Sequence, residues 1–281
     1  MEAAVKKIVE CMAVLPGSED VQRVQTEHRL KLIDSWGISY GSKVLEIGCG
    51  QGDTTAALAY TVGKQGSVIG LDIASPSYGS PVTLGDAAAR LMQSPLGSQA
   101  EIRFECDVLS EDVDFPSGSF DFIVFSHCSW YLDSFETLEA LFSKIKKWGG
   151  KLCFAEWDTR IQTIEQYPHF LAVLIQSHYE CFKKDSLSNV RTLFTPMDVK
   201  RIAKSTGWTI QREETIFSPE MQDGEWEIEM TLSEYKYLQK LTEAPDKVKS
   251  LLHTEIQLLE EARNQHPIKP LSAFVFLAEQ E

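Results

Sequence analysis

The chain lacks most of what marks a secreted, membrane-bound or polymer-binding protein. Its 281 residues include six cysteines, Cys11, Cys49, Cys106, Cys128, Cys153 and Cys181, and no CxxC among them. That spacing excludes the common zinc and dithiol patterns and points to a reduced, cytoplasmic protein. The N-terminal stretch MEAAVKKIVECMAVLPG is broken by Lys6, Lys7 and Glu10, so no secretory leader is expected. No window approaches the roughly 18 uncharged apolar residues of a spanning helix, so no membrane partner is expected either. Basic residues are scarce: 27 Lys and Arg stand against 41 Asp and Glu, a net charge of −14. Such a balance disfavours phosphate polymers, and no nucleic-acid partner is expected. The longest basic run, KIKK at 144–147, falls at a helix end and suits the helix dipole there. Repeats and low-complexity tracts are absent. Histidines number six, which narrows the search for a side chain that titrates near neutrality.

What is present is periodic. Residues 1–39 read as a helical arm. Val5, Ile8, Val9 and Met12 share one helix face. A second helix opens at Ser18 and carries the line Val21, Val24, His28, Leu32, close to a 3.6-residue period. From Lys43 strands and helices alternate. The strand at 44–47 is nearly all apolar, as expected where both faces are covered. Further strands are expected at 67–73, 102–108, 120–126, 151–157, 208–217 and 271–278. Asp133 and Glu136 read as a capping box for a helix that Gly149-Gly150 ends. Thr195-Pro196 followed by Asp198 opens another. This alternation predicts an α/β fold with a parallel sheet and right-handed crossovers. Two helical stretches interrupt it, at about 159–194 and 219–268. The expectation is one domain over 40–281 with two cap insertions, behind an arm or lid over 1–39.

The segment VLEIGCGQGDTT carries the sharpest signal. A dinucleotide site would show G-x-G-x-x-G, but Asp53 stands where the third glycine belongs. An acid at a helix N-terminus would also repel a pyrophosphate, and no P-loop lysine follows. Glu46, Gly48, Gly50 and Gly52 spell E-x-G-x-G-x-G. This resembles the first motif of the class I S-adenosylmethionine-dependent methyltransferases, in outline those of the small-molecule or natural-product type. The likeness covers roughly residues 40–158 well and the C-terminal strands in outline. It implies a Rossmann-like α/β fold of seven strands, mostly parallel, the last antiparallel. It also implies S-adenosyl-L-methionine as cofactor, which has no phosphate and suits an acidic loop. In the family an acid ending strand two holds the ribose hydroxyls, and Asp72 in GLDI takes that place. A further acid near the end of strand three holds the adenine amino group, and Asp107 in ECDV fits, with Glu105 and Glu111 as nearby competitors. With Cys49, Ile73, Val108 and Ser126 these residues form the candidate cofactor set. Asp72 has a plainer reading as a turn residue, and Asp53 reads as an N-cap. Glu46, the one charge in its strand, needs a buried partner and is given an inward role near the cofactor's methionine end.

In an open parallel sheet, ligands sit at the carboxyl ends of the strands. Ser126, His127, Cys128, Ser129, Trp130 and Tyr131 therefore face the sulfonium, for which aromatic rings are suited. Methyl transfer asks mainly for in-line placement and exclusion of water, with a base when the acceptor must lose a proton. His127 is the first candidate base, against a purely structural hydrogen-bonding role. His28 and His178 follow, each on an apolar helix face, His178 in line with Leu171, Leu174 and Cys181; a satisfied core histidine is the plainer reading of both. Glu156 and Trp157, past strand five, are similarly placed. The Asp-Asp-Asn set of metal-dependent catechol methyltransferases is missing, so no metal is expected. The motifs of base-modifying relatives are missing too, since strand four runs into SHCSW. The expected function is methyl transfer to an O, N, S or C atom of a small organic molecule, a secondary metabolite. The alternatives are a protein methyltransferase or a non-methylating scaffold, either pericyclase-like or a regulatory cofactor-binding module. The arm and second insertion either cap the acceptor pocket or pair two chains as a homodimer.

Overall fold

Val44, Leu45 and Ile47 have no polar side to offer water, and the chain buries them at the centre of a sheet. The computed structural model describes residues 1–183, 188–238 and 244–280. Strand β1 (Lys43–Ile47) pairs in parallel with β2 (Ser67–Leu71) on one side and β4 (Phe120–Ser126) on the other. Beyond them lie β3 (Ala100–Arg103), β5 (Gly149–Trp157), β6 (Trp208–Ile216) and β7 (Ala273–Gln280). The order across the sheet is β3-β2-β1-β4-β5-β7-β6. Strand β7 runs antiparallel to both its neighbours, and the other pairings are parallel. This is the seven-stranded, mostly parallel sheet with a reversed last strand that the motif implies. The order reverses between β1 and β4, which opens a crevice at their carboxyl ends.

Nine helices are described: α1 (Glu2–Val9), α2 (Glu19–Trp36), α3 (Asp53–Val62), α4 (Leu84–Met92), α5 (Phe135–Ile145), α6 (Tyr167–Glu180), α7 (Pro196–Ser205), α8 (Asp223–Leu238) and α9 (Asp246–Gln265). Alternate residues of the central strands face opposite cores, as the pleat dictates. On one face Leu45, Phe125 and Phe154 pack with Phe142, Trp148 and Trp208 around α5 and α7. On the other, Val44, Val124 and Val275 pack with Ile8, Leu32, Trp36 and Leu58 of α1, α2 and α3. A third cluster joins Leu171, Ile175 and Tyr179 of α6 to Ile228 of α8 and Ile256 and Leu259 of α9. Among the described residues no helix is long and apolar enough to cross a membrane.

Several sequence expectations shift. Strand β3 ends at Arg103, so Asp107 and Val108 lie in the following loop. That loop turns sharply at Glu105, whose φ is +54°, because its amides bond back to the segment after β2: Glu105 N–H to Ala74 O and Cys106 N–H to Asp72 O. Helix α5 is capped by Ser134, which accepts from Thr137 N–H, rather than by Asp133. Gly149 begins β5 instead of ending the helix: a Cβ there would meet Ile123 at 2.9 Å, so only a bare α-carbon pairs so close to β4. Thr195 and Asp198 do form a reciprocal capping box on α7.

Candidate active site

Three left-handed glycines build the turn after β1. Gly48, Gly50 and Gly52 have φ of +74°, +52° and +84°, a region open to glycine at little cost. Their surroundings differ. A Cβ on Gly48 would fall 2.7 Å from Cys128 Cβ, and one on Gly52 2.9 Å from Ile102. A Cβ on Gly50 would meet nothing within 4 Å. Gly48 and Gly52 are therefore bare for packing, while Gly50 opens on free space. Gly52 is also the N-cap of α3, so Asp53 is the first helical residue, not the cap. The Asp53 carboxylate instead accepts from Gln22 of α2 at 3.1 Å and pairs with Arg29 at 3.4 Å. Helix α2 is thereby tied to the rim of the glycine turn.

Asp72 braces the same turn. One carboxylate oxygen accepts from Gly50 N–H at 2.7 Å and the other from Ala74 N–H at 2.8 Å. Each oxygen keeps a lone pair for a ligand hydroxyl. Ile73 beside it is 70% exposed, an apolar surface with no protein cover. Asp107 accepts from Leu109 N–H at 2.8 Å, and Val108 is buried under it. Glu46 finds its buried partner in Thr55, whose hydroxyl donates at 2.5 Å. Burial pushes this carboxyl up to about 8, with Asp53 and Asp72 adding to the rise and Thr55 and Arg29 opposing it. Burial likewise raises the Cys49 and Cys128 thiols, so neither is a ready thiolate.

At the end of β4 the chain takes an unusual step. His127 has φ +50°, a left-handed conformation that is uncommon for any residue with a Cβ and is often found at functional positions. Its amide bonds to Ala155 O at 2.9 Å, and the next residue, Cys128, is the one that abuts Gly48. The imidazole is thus carried against His28, Glu156 and Trp157. Its Nε2 lies 3.0 Å from Nε2 of His28, on α2. His28 Nδ1 lies 3.0 Å from Ser218 Oγ, which also accepts from Lys31 Nζ at 3.3 Å. His127 Nδ1 is 3.4 Å from Glu156 Oε1, an ion-pair distance with geometry too poor for a hydrogen bond. Glu156, at the end of β5, is buried and well fixed: it accepts from Ser129 N–H and Oγ, from Trp130 N–H and from Trp157 N–H. Burial, and then the charges of His127, Arg29 and Lys31, hold His28 well below the usual histidine range.

Trp157 closes the group. Its ring lies 4.5 Å from that of His127 and stacks on His28 at 6.1 Å. On its far side His169 of α6 meets it edge-on at 5.5 Å. His169 is fully buried, accepts from Leu271 N–H at Nδ1, and is held down to about 3 by burial. The structure therefore brings His28 and His127 together, with Glu156 and Trp157. It does not bring His178, which pairs with Glu255 of α9 at 3.0 Å. The buried stripe of α6 runs through His169, Ala172, Gln176 and Tyr179, and His178 falls beside it. His169, Ser218 and Lys31 escape the sequence reading. The signal for His169 was its place on that stripe, seven residues before the buried Gln176.

A family model for a methyltransferase domain matches residues 44–149. A solved structure of a cyclopropane-fatty-acyl-phospholipid synthase-like protein from Lactobacillus casei is 32% identical. The match covers 99% of this chain and 100% of that one, with a TM-score of 0.89. The chain belongs to the class I S-adenosylmethionine-dependent methyltransferases. A curated relative, methyltransferase phomM' of Diaporthe leptostromiformis, is 25% identical over 68% of this chain and 59% of its own length. The match thus spans well under two thirds of that relative. Geranyl diphosphate C-methyltransferase from Streptomyces coelicolor, solved with Mg2+, geranyl diphosphate and S-adenosyl-L-homocysteine, is 14% identical. It covers 100% of this chain and 88% of its own, with a TM-score of 0.52, a likeness of fold. The cofactor of this family fits the crevice on two observations of this chain: the free space at Gly50, and an Asp72 carboxylate with lone pairs to spare beside the bare surface of Ile73.

Proposed function

We propose that this chain transfers the methyl group of S-adenosyl-L-methionine to an O, N, S or C atom of a small organic molecule, with His127 as general base. The observation that carries this reading is the junction of the glycine turn with His127, where Gly48 abuts Cys128 and leaves no room for a side chain. Gly48, Cys49, Gly50 and Gly52 would shape the cofactor cradle, Asp72 and Ile73 would hold its ribose side, and Asp107 and Val108 its adenine side. Glu46 and Ser126 line the end nearer the strands. Bound there, the cofactor supplies an electrophilic methyl group on a cationic sulfur. His127 takes the proton that the acceptor loses, and Glu156 beside Nδ1 stabilises the imidazolium. Trp157, backed by His169, covers one side of the His127 ring, which favours in-line transfer away from bulk water. The net charge of −14 and the apolar and aromatic walls support a small acceptor, not a nucleic acid. The described cysteines are all free, in keeping with a reducing, cytoplasmic setting.

A carbon acceptor in an acyl chain is the second reading, favoured by the name of the Lactobacillus casei relative. Incubating the protein with methyl-labelled cofactor and a fractionated cell extract tests both. Label in a polar metabolite fraction supports the first, and label in the lipid fraction the second. Label in the protein fraction would overturn both in favour of a protein methyltransferase, and tight cofactor binding with no label in any fraction in favour of a non-methylating scaffold.

A further inference from the structure

A hydrogen-bond chain starts at a group of fixed chemistry and ends at a ring nitrogen that faces a carboxylate. Lys31 Nζ can only donate, and it reaches Ser218 Oγ at 3.3 Å. Glu156 is a carboxylate that otherwise accepts backbone and hydroxyl donors, and it faces His127 Nδ1 at 3.4 Å. Between them stand Ser218, His28 and His127, linked at 3.0 Å and 3.0 Å. Lys31 takes one of the two Ser218 lone pairs, which biases the hydroxyl hydrogen toward His28 Nδ1. A neutral His28 that accepts at Nδ1 carries its proton on Nε2. That proton is donated to His127 Nε2, so a neutral His127 carries its own on Nδ1, facing Glu156. The opposite polarity fails at the Glu156 end, because it sets a bare imidazole nitrogen against a carboxylate.

We infer that Lys31, Ser218 and His28 are positioning residues that lock His127 in the Nδ1-protonated tautomer, leaving its Nε2 as the basic atom. The catalytic meaning of that lock rests on the methyl-transfer reading; the tautomer itself does not. A second consequence follows from the geometry. The His28 Nε2–H already occupies the lone pair that an acceptor's O–H or N–H would use. An acceptor therefore reaches this lone pair only when the His28 ring turns away from it. The lock serves the base by ensuring that this nitrogen, once His28 turns aside, carries a lone pair and no proton.

Long-range nitrogen–proton correlation NMR on the full chain, labelled with 15N-histidine and free of acceptor, reads the tautomers directly. The expected spectrum has His127 protonated at Nδ1 and His28 protonated at Nε2. Ser218→Ala removes the donor to His28 and should convert His127 to a mixture of tautomers; Ser218→Thr, which keeps the hydroxyl, should restore the single form. Lys31→Met changes an exposed side chain and should loosen the same preference, so it carries the test if Ser218→Ala does not fold. Turnover of Ser218→Ala should fall by about tenfold with cofactor affinity unchanged, as for a base that is misprotonated part of the time. His127 protonated at Nε2 in the parent protein would overturn the inference. So would a tautomer unmoved by both Ser218→Ala and Lys31→Met. Failure of methyl transfer alone would sink the proposed activity and leave the NMR result to stand by itself.

Discussion

In the proposed reaction Asp72 serves the cofactor and His127 the acceptor's proton, and single substitutions separate the two roles. Asp72 holds Gly50 and Ala74 by their amides while keeping lone pairs free. Asp72→Ala should weaken cofactor binding by about 1.5–3 kcal/mol, the scale of a hydrogen bond to a charged group, or roughly ten- to a hundredfold in Kd. Titration calorimetry checks this, and parental affinity would remove Asp72 from the cradle. His127→Ala should leave that affinity in place and lower turnover by about 10²–10⁴-fold, the usual worth of a positioned base. Turnover equal to the parent's would show that no proton passes through it. His127 and Asp72 were legible in sequence because each sits directly after a buried strand, where topology fixes position. His169 was not: its helix is apolar around much of its girth, and only the fold says that its end of the buried stripe meets Trp157. Ser218 lies in the link after β6, and nothing local marks it as a neighbour of His28, 190 residues earlier.

At the scale of elements, the glycine turn and α2 form one device. The three glycines look alike in sequence, yet their environments predict unlike outcomes. Gly48→Ala drives a Cβ to 2.7 Å from Cys128 Cβ on top of the left-handed strain, and should cost about 2–4 kcal/mol of stability. Gly50→Ala meets no neighbour and should cost only the conformational term, about 1 kcal/mol. Its methyl group should nevertheless intrude on the cofactor and reduce affinity. Urea midpoints beside cofactor titrations check the pair: a Gly50→Ala protein that binds as well as the parent would mean that the free space there is not the cradle. The central strands were readable from apolar runs, since β1, β2, β4 and β5 are each covered on both faces, and their order came with the motif. The end of β3 was not, because residues 104–108 extend the polar-apolar alternation of an edge strand while their amides bond to Asp72 and Ala74 instead. That divergence sets Glu105 and Cys106, just before Asp107, against the segment that follows β2.

Across the whole molecule, buried titratable groups of opposite kind set a window of stability. His169 is held down to about 3 from an ordinary value of 6.5, and His28 is lowered well below it. Between those values the unfolded chain binds more protons than the folded one, so stability falls as pH drops below 6.5. Glu46 is pushed up to about 8 from 4.5, and Glu227 is raised by burial as well. Here the folded chain holds the proton longer, so stability falls as pH rises above 4.5 and continues to fall until about 8. The two trends oppose each other between 4.5 and 6.5, and only the carboxylate trend acts above 6.5. The net charge of −14 adds self-repulsion on the same alkaline side. The melting temperature should therefore be highest in mildly acidic buffer and decline from pH 6.5 to 8. Glu46→Gln keeps the shape and the contact with Thr55 but has no proton to lose, so it should flatten that decline and, with the opposing trend gone, steepen the loss of stability as pH falls from 6.5 to 5. Differential scanning calorimetry from pH 5 to 8.5 on both proteins decides the matter. A parallel decline in the two would place the alkaline loss in the charged surface, not in the carboxyl beneath the glycine turn.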